Sequence, residues 1–460
     1  MARVKLLIIY LNFLIYSCSS ENTSMRTRAI EVDQVTNSDG LPANNSRESD
    51  VLTDPVDGKE VKSVEVEVIK DSNNEGNSTS STGEMGQDNS NIDAGEMGQD
   101  NSNLNDAYAK SAFLASIPDK TWTQIPNSKM TAVASNMFYD GQSDCCGFGI
   151  YAFSGAVKDD QRGIVYFWGG GHGDYYGNEV YEFNIENLEW KRLTEPSPFS
   201  KNECASFDDI HILSDGQPKS RHTYDQMVFV PHLNKIWAHG GSVCGSGAGI
   251  TDLWEFDIAT KTWKDLDPGL TYAWNGNLAR SAEYDPVTKK IFYFYSQSIK
   301  TFDVDSGMWD PMWIDFVNRT ERTAVLDPNS RKIVFYGGDD GYVTGGVLKT
   351  NEVAVFNVDS KTIEYPAVPE NLPKRMGNGW TYDEKNKIFV AYGGYEYTNT
   401  DLWYYDVVSN TWFSETISNA PSGMGNIYQR FMYDKVNDVI FFFRSPYEDV
   451  WVLKNQSPRP

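Results

Sequence analysis

From about residue 113 onward, short apolar runs alternate with polar turns, the pattern of antiparallel strands and not of amphipathic helices. The clearest stretch reads Ser220-Arg-His-Thr-Tyr-Asp225, an apolar run at 227–230, a polar turn at 232–235 and Ile236-Trp-Ala-His-Gly240-Gly241. After a loop come Asp252-Leu-Trp-Glu-Phe-Asp257, a turn at 258–261 and Thr262-Trp263. Four short strands joined by turns make one small sheet. Related units begin at Arg280, Arg322, Arg375 and Arg430, and an earlier one holds Tyr166-Phe-Trp-Gly-Gly-Gly-His172, the strand 178–183 and Trp190. Their spacing of roughly 45 to 55 residues is that of propeller blades.

Paired glycines followed by an acidic-apolar strand and a later Trp resemble the kelch repeat, and the resemblance runs through the whole array. It implies an all-β, kelch-like β-propeller of six blades spanning 113–456, with 126–160 or 194–220 as the places where a seventh, irregular blade would lie. The last unit lacks a fourth strand, whereas Lys120-Thr-Trp-Thr-Gln-Ile125 stands alone ahead of the first. The ring is therefore expected to close by pairing the two ends of the domain.

Upstream, Met1-Ala-Arg-Val-Lys5, an apolar run at 6–16 and Ser17-Cys18 form an export signal over residues 1–18. This resembles a bacterial lipoprotein signal with Ile15-Tyr16-Ser17-Cys18 as the lipobox, although Tyr16 departs from the usual small or aliphatic residue. The likeness implies lipidation of Cys18 and a membrane held through the lipid anchor only, at the outer membrane or cell surface of a bacterium. A plain secretory signal with an incidental Cys is the alternative. Residues 19–105 are rich in Ser, Asn, Asp and Glu and repeat Gly83-Glu-Met-Gly-Gln-Asp-Asn-Ser-Asn91 as 95–103. With so little apolar surface to offset ordering entropy, this segment reads as a disordered acidic tether.

Charge narrows the partners. The 64 acidic and 40 basic side chains among 460 residues give a formal charge of −24, which excludes general affinity for nucleic acid. The only long apolar run is the N-terminal one, which excludes a polytopic membrane protein. A monomer is expected.

Blade geometry places chemistry at one mouth of the channel. A blade's first strand starts, and its second strand ends in Gly-Gly, on the same face, so Arg221, Arg280, Arg322, Arg375, Arg430 and Arg444 should gather there with His172, His222 and His239. Each Arg either binds a substrate carboxylate or bonds loop carbonyls between blades. Elimination beside a uronate needs a cation to neutralise the carboxylate, a base and an acid, and Arg, His and Tyr supply them. No Asp/Glu pair marks a glycosidase, and no Cys accompanies a Tyr and two His as a copper radical oxidase requires.

A propeller on an exported acidic chain, with His, Tyr and Arg at its mouth, is similar to the propeller-type ulvan lyases of marine bacteria, which have seven blades. The resemblance implies a lyase acting on an acidic polysaccharide, with His222, His239, Tyr284 and His172 as catalytic candidates. Arg221, Arg280, Arg322, Arg375, Tyr175 and Tyr224 are the corresponding substrate-binding candidates. Two alternatives stand beside it: a non-catalytic glycan-binding or scaffold propeller using Tyr175, Tyr176, Tyr395 and Tyr397 as sugar platforms, and a kelch-type sialic acid epimerase.

Besides Cys18, four cysteines remain, Cys145, Cys146, Cys204 and Cys244. Export implies an oxidising compartment, and Cys204 with Cys244 is the expected bridge because both should reach the His-bearing face of the second blade. A structural ion such as zinc or calcium is the alternative, with Cys204, His211 and Cys244 as zinc ligands.

Overall fold

A computed structural model of the chain describes residues 112–135, 149–198, 200–205, 211–266, 278–295, 298–310, 314–315, 319–340, 348–423 and 425–456. The expected export signal, the expected lipidation site at Cys18, the tether, Cys145 and Cys146 lie outside the described residues.

The described strands form six small antiparallel sheets arranged as a β-propeller. Blade I consists of Val157–Asp159, Ile164–Phe167, Tyr181–Asn184 and Glu189–Arg192. Blade II has Met227–Val230, Lys235–Val243, Gly249–Asp257 and Thr262–Asp265, with Arg221–His222 as a second short partner on the far end of its long second strand. Blade III runs Ser281–Asp285, Lys290–Phe294, Ser298–Asp303 and Met308–Trp309. Blades IV and V repeat the plan with Thr323–Asp327, Lys332–Tyr336, Val353–Asn357 and Thr362–Glu364, then Gly379–Asp383, Ile388–Tyr392, Asp401–Asp406 and Thr411–Thr416.

Blade VI has only three strands in sequence, Phe431–Asp434, Val439–Phe442 and Trp451–Lys454. Its fourth is Thr121–Gln124, which pairs Thr121 with Lys454 and Gln124 with Trp451. The expected closure through the two ends is thus what the chain adopts. A seventh blade is not: among the described residues 126–160 holds short helical turns at Met130–Val133 and Gly149–Tyr151 before blade I begins, and 194–220 holds the helix Ser200–Ala205.

Apolar residues on these strands are buried on both faces because each sheet is packed between two neighbours. Six separate apolar clusters fill the seams, for example Trp168 with Ile236 and Phe256 between blades I and II, and Trp380 with Val334 and Tyr405 between IV and V. Many of the acids have a local use in the turns. Asp257 accepts bonds from the Ala259 and Thr260 amides at 2.9 Å, and Asn357 and Asp406 do the same two and three blades on, each ahead of a left-handed residue at Lys261, Lys361 or Asn410.

At one end of the axis the inner strands enter through a collar of left-handed residues, one per blade: Phe153, Tyr224, Ala279, Glu321, Gly377 and Tyr428. Backbone bonds pass around it, from Tyr224 N to Phe153 O at 2.7 Å, Glu321 N to Ala279 O at 2.9 Å, Gly377 N to Glu321 O at 2.8 Å and Ile427 N to Gly377 O at 2.6 Å. At the other end the channel widens into a cavity of about 410 Å³ bordered by Glu283, Tyr284, Tyr382 and Tyr433.

Candidate functional site

Every blade-starting arginine that was a binding candidate is buried. Arg221 Nη1 donates to Gly240 O at 3.2 Å and to Asp252 Oδ1 at 2.6 Å. Arg322 Nε donates to Gly337 O at 2.9 Å and its Nη2 to Glu352; Arg375 Nη1 donates to Gly393 O at 3.0 Å with Asp401 beside it, and Arg430 donates to Phe443 O at 2.6 Å. The same motif therefore performs the same task in four blades. A guanidinium ahead of the first strand ties down the turn after the second, a glycine turn in blades II, IV and V and Phe443 in blade VI. In blades II, IV and V it also holds an acidic residue at or near the start of the third. Arg221, Arg322 and Arg375 brace the blades and are corrected from substrate-binding to structural. Arg280 is also buried, but its charge reaches the Tyr224 hydroxyl at the collar.

What remains at the mouth is built mainly by the connection between the second and third strands of blade I. Gly169, Gly170 and Gly171 all have positive φ, and a side chain at Gly171 would fall 2.1 Å from Arg221 Cα, so only glycine lets this loop lie on blade II. Farther along, Glu179 Oε1 accepts bonds from Tyr175 and Tyr181, at 2.8 Å for the latter, and from Ser135 at 2.5 Å, while Ser220 Oγ donates to Tyr175 O at 2.7 Å. Tyr175 is 3% exposed and is an internal anchor of the loop, not a sugar platform.

The anchored loop presents Asp174 and His172 to blade II. His222 Nε2 and Asp174 Oδ2 are 2.7 Å apart, so Nε2–H donates to the carboxylate and Nδ1 is left to take a proton. Phe153 stacks on His222 with centroids 4.7 Å apart, His172 stands edge-on at 5.4 Å and Tyr224 at 5.8 Å. Burial lowers the pKa of His172, the nearby His222 lowers it further and Asp174 opposes both. The Tyr224 hydroxyl is raised, first by burial and then by the charges of Glu321 and Asp174. Tyr224 therefore feels acids on two sides of the mouth. Across the collar Glu321 Oε2 accepts bonds from Tyr428 and, at 3.2 Å, from Asn426, and burial pushes its pKa up to about 7 despite the Tyr428 bond.

Two of the catalytic candidates lie elsewhere. His239 fills the seam between blades II and III, where Nδ1–H donates to Asp252 O at 2.8 Å and Nε2 accepts from Tyr295 at 2.6 Å. It is wedged against Tyr293 and Trp309, and burial drives its pKa down to about 4, so it is a neutral packing group. Tyr284 sits at the opposite end of the channel, bonded to His232 Nδ1 at 3.0 Å and bordering the cavity. A strand of five residues carried it to the other face.

Cys204 and Cys244 form a disulfide with Cα atoms 5.2 Å apart, which removes both thiolates from the proposed zinc set. His211 lies 3.9 Å from Asp265 instead. Among the described residues no group of three or more His, Cys, Asp or Glu side chains is arranged to hold a metal ion. Tyr395 and Tyr397 pack under Lys349 and Arg375, the latter at 4.1 Å from the ring.

Sequence reasoning missed Asp174 and Glu321. The signal for Asp174 was its place two residues after His172 in the one elaborated glycine loop. Glu321 stands just before Arg322, at the position that Ala279 holds before Arg280. No known protein-family model matches the chain.

Proposed function

We propose that the mouth around His222 is the acid–base site of a polysaccharide lyase acting on a uronate-containing, ulvan-like glycan. The observation that carries this reading is the 2.7 Å bond between His222 and Asp174, which fixes the imidazole tautomer and points a basic nitrogen away from the carboxylate. In the reaction His222 Nδ1 removes the proton from C5 of the uronate, the electron pair forms the C4–C5 double bond, and the C4–O bond breaks. The departing oxygen takes a proton from the Tyr224 hydroxyl, while Arg280 offsets the charge that gathers on the uronate carboxylate. The pattern of residues 1–18 supports export and a lipid anchor at Cys18, which would set the enzyme where extracellular glycan is met.

The full-length protein incubated with ulvan, a second uronate polysaccharide and a neutral glycan tests the reading. Absorbance from an unsaturated uronate should rise with at least one acidic polymer and not with the neutral one. His222→Ala should abolish the rise.

Burial favours a second reading. His222 is 3% and Tyr224 7% exposed, and four arginines are committed to the scaffold, as a glycan-binding propeller without turnover would allow. Binding of the acidic polymer with no rise in absorbance would establish that reading in place of the first.

A further inference from the structure

The disulfide stands at the base of the mouth. Cys204 belongs to the helix Ser200–Ala205, and Cys244 directly follows the second strand of blade II. Both cysteines are fully buried and pack with Val243 and Ile250, with Tyr176 beside them. The five residues after Val243 make a tight loop: Gly247 N donates to Val243 O at 2.9 Å, and Ser242 Oγ donates to Gly247 O at 2.9 Å.

This loop touches one catalytic candidate twice. Gly245 N donates to His172 O at 2.7 Å. Gly247 lies flat against the imidazole, so close that a Cβ there would fall 2.6 Å from its Cδ2 and Nε2. His172 itself has φ of 46°, a left-handed conformation that a non-glycine residue keeps only when its surroundings impose it. The bridge is also tied to His222, because Cys244 N donates to Ser220 O at 2.9 Å, two residues ahead of it.

We infer that the Cys204–Cys244 bridge is a positioning element of the mouth, which holds the 244–247 loop as the seat that orients His172 against His222. A bridge that served stability alone could join any two elements of the ring. This one fastens a helix outside the blades to the few residues on which both the backbone and the ring of His172 rest. The inference rests on the proposed lyase reaction for its kinetic readout only.

The test uses the full-length protein with two changes made separately, the double variant Cys204→Ser/Cys244→Ser and Gly247→Ala. The first readout is titration of the His172 imidazole by nuclear magnetic resonance, with His172→Asn used to assign it. In wild type the His172 resonance should titrate below the ordinary histidine range. In both variants its midpoint should rise by at least half a pH unit. The second readout is turnover on the uronate polymer, where kcat should fall about tenfold or more with KM within twofold.

An unchanged His172 titration in the double variant overturns the inference. If the double variant does not fold, Gly247→Ala decides alone, since it keeps the bridge and disturbs only the seat. If His172 shifts as expected while wild type cleaves no glycan, the inference stands and the lyase reading fails.

Discussion

Arg221 shows how a single side chain misleads when only its position along the chain is known. Its place at the start of an inner strand put it at the mouth, yet its guanidinium points inward to Asp252, and both groups are nearly inaccessible. Arg221→Ala would leave Asp252 buried without its cation, and breaking such a pair costs about 3–5 kcal/mol. Denaturant unfolding should show that loss, and a smaller one for Arg375→Ala, whose partner Asp401 keeps a fifth of its side-chain surface in water. The groups of the proposed lyase reaction should behave differently. Asp174→Asn should lower turnover by about 100-fold, because the imidazole loses the partner that sets its tautomer. His222→Ala should do the same, with the double variant no worse than either. His239→Ala should mainly lower the melting temperature, since it empties a seam between two blades. The acids at the mouth were hard to read for a physical reason: among 64 acidic residues many serve turns, and the one mark on Asp174 along the chain is its place two residues after His172, while its partner His222 comes from another blade.

At the scale of elements, the repeat was the legible part. Glycine pairs, acidic-apolar strands and returning tryptophans each answer to one requirement of a four-stranded sheet packed on both faces, so strand order and ring closure followed from them. Departures from the repeat did not. Blade II extends its second and third strands to nine residues with a register shift between His239 and Gly241, and the chain turns aside at His222 before its true inner strand begins. That irregularity seats His222 at the mouth and His239 in the seam, two destinations that a regular blade would not have separated. The closing strand is the element most open to test. Trp122 is 3% exposed and packs 5.3 Å from Tyr392, so Trp122→Ala should cost about 3–5 kcal/mol in thermal or denaturant unfolding.

The molecule as a whole should respond to pH through its buried titratable groups. Burial raises Glu283 to about 8 and Glu321 to about 7, so both favour the folded state while protonated. Their contribution is complete below the ordinary carboxylic range and is lost as pH rises through 7 and 8. His239, driven down to about 4, acts in the opposite direction: its contribution is present above the ordinary histidine range and is lost as pH falls toward 4. The melting temperature should therefore fall on both sides of a mildly acidic maximum. Glu283→Gln and Glu321→Gln should flatten the alkaline side, and His239→Asn the acidic side. An alkaline limb unaltered in both glutamine variants would mean that these carboxyls ionise normally.

The shared blade also sets a timetable. Ribosomes deliver a chain from its N-terminus, and the strand at 121 has no lasting partner until the segment ending at 454 arrives. For most of its synthesis the nascent protein is an open arc with two raw edges, and only the final stretch converts it into a ring. Any product terminated early, even within blade VI, would carry intact blades and still be prone to edge-to-edge association. Rejoining the two ends of the domain and opening the chain between two whole blades would turn the last closure into a local hairpin, and such a permutant should refold faster than the natural order of blades.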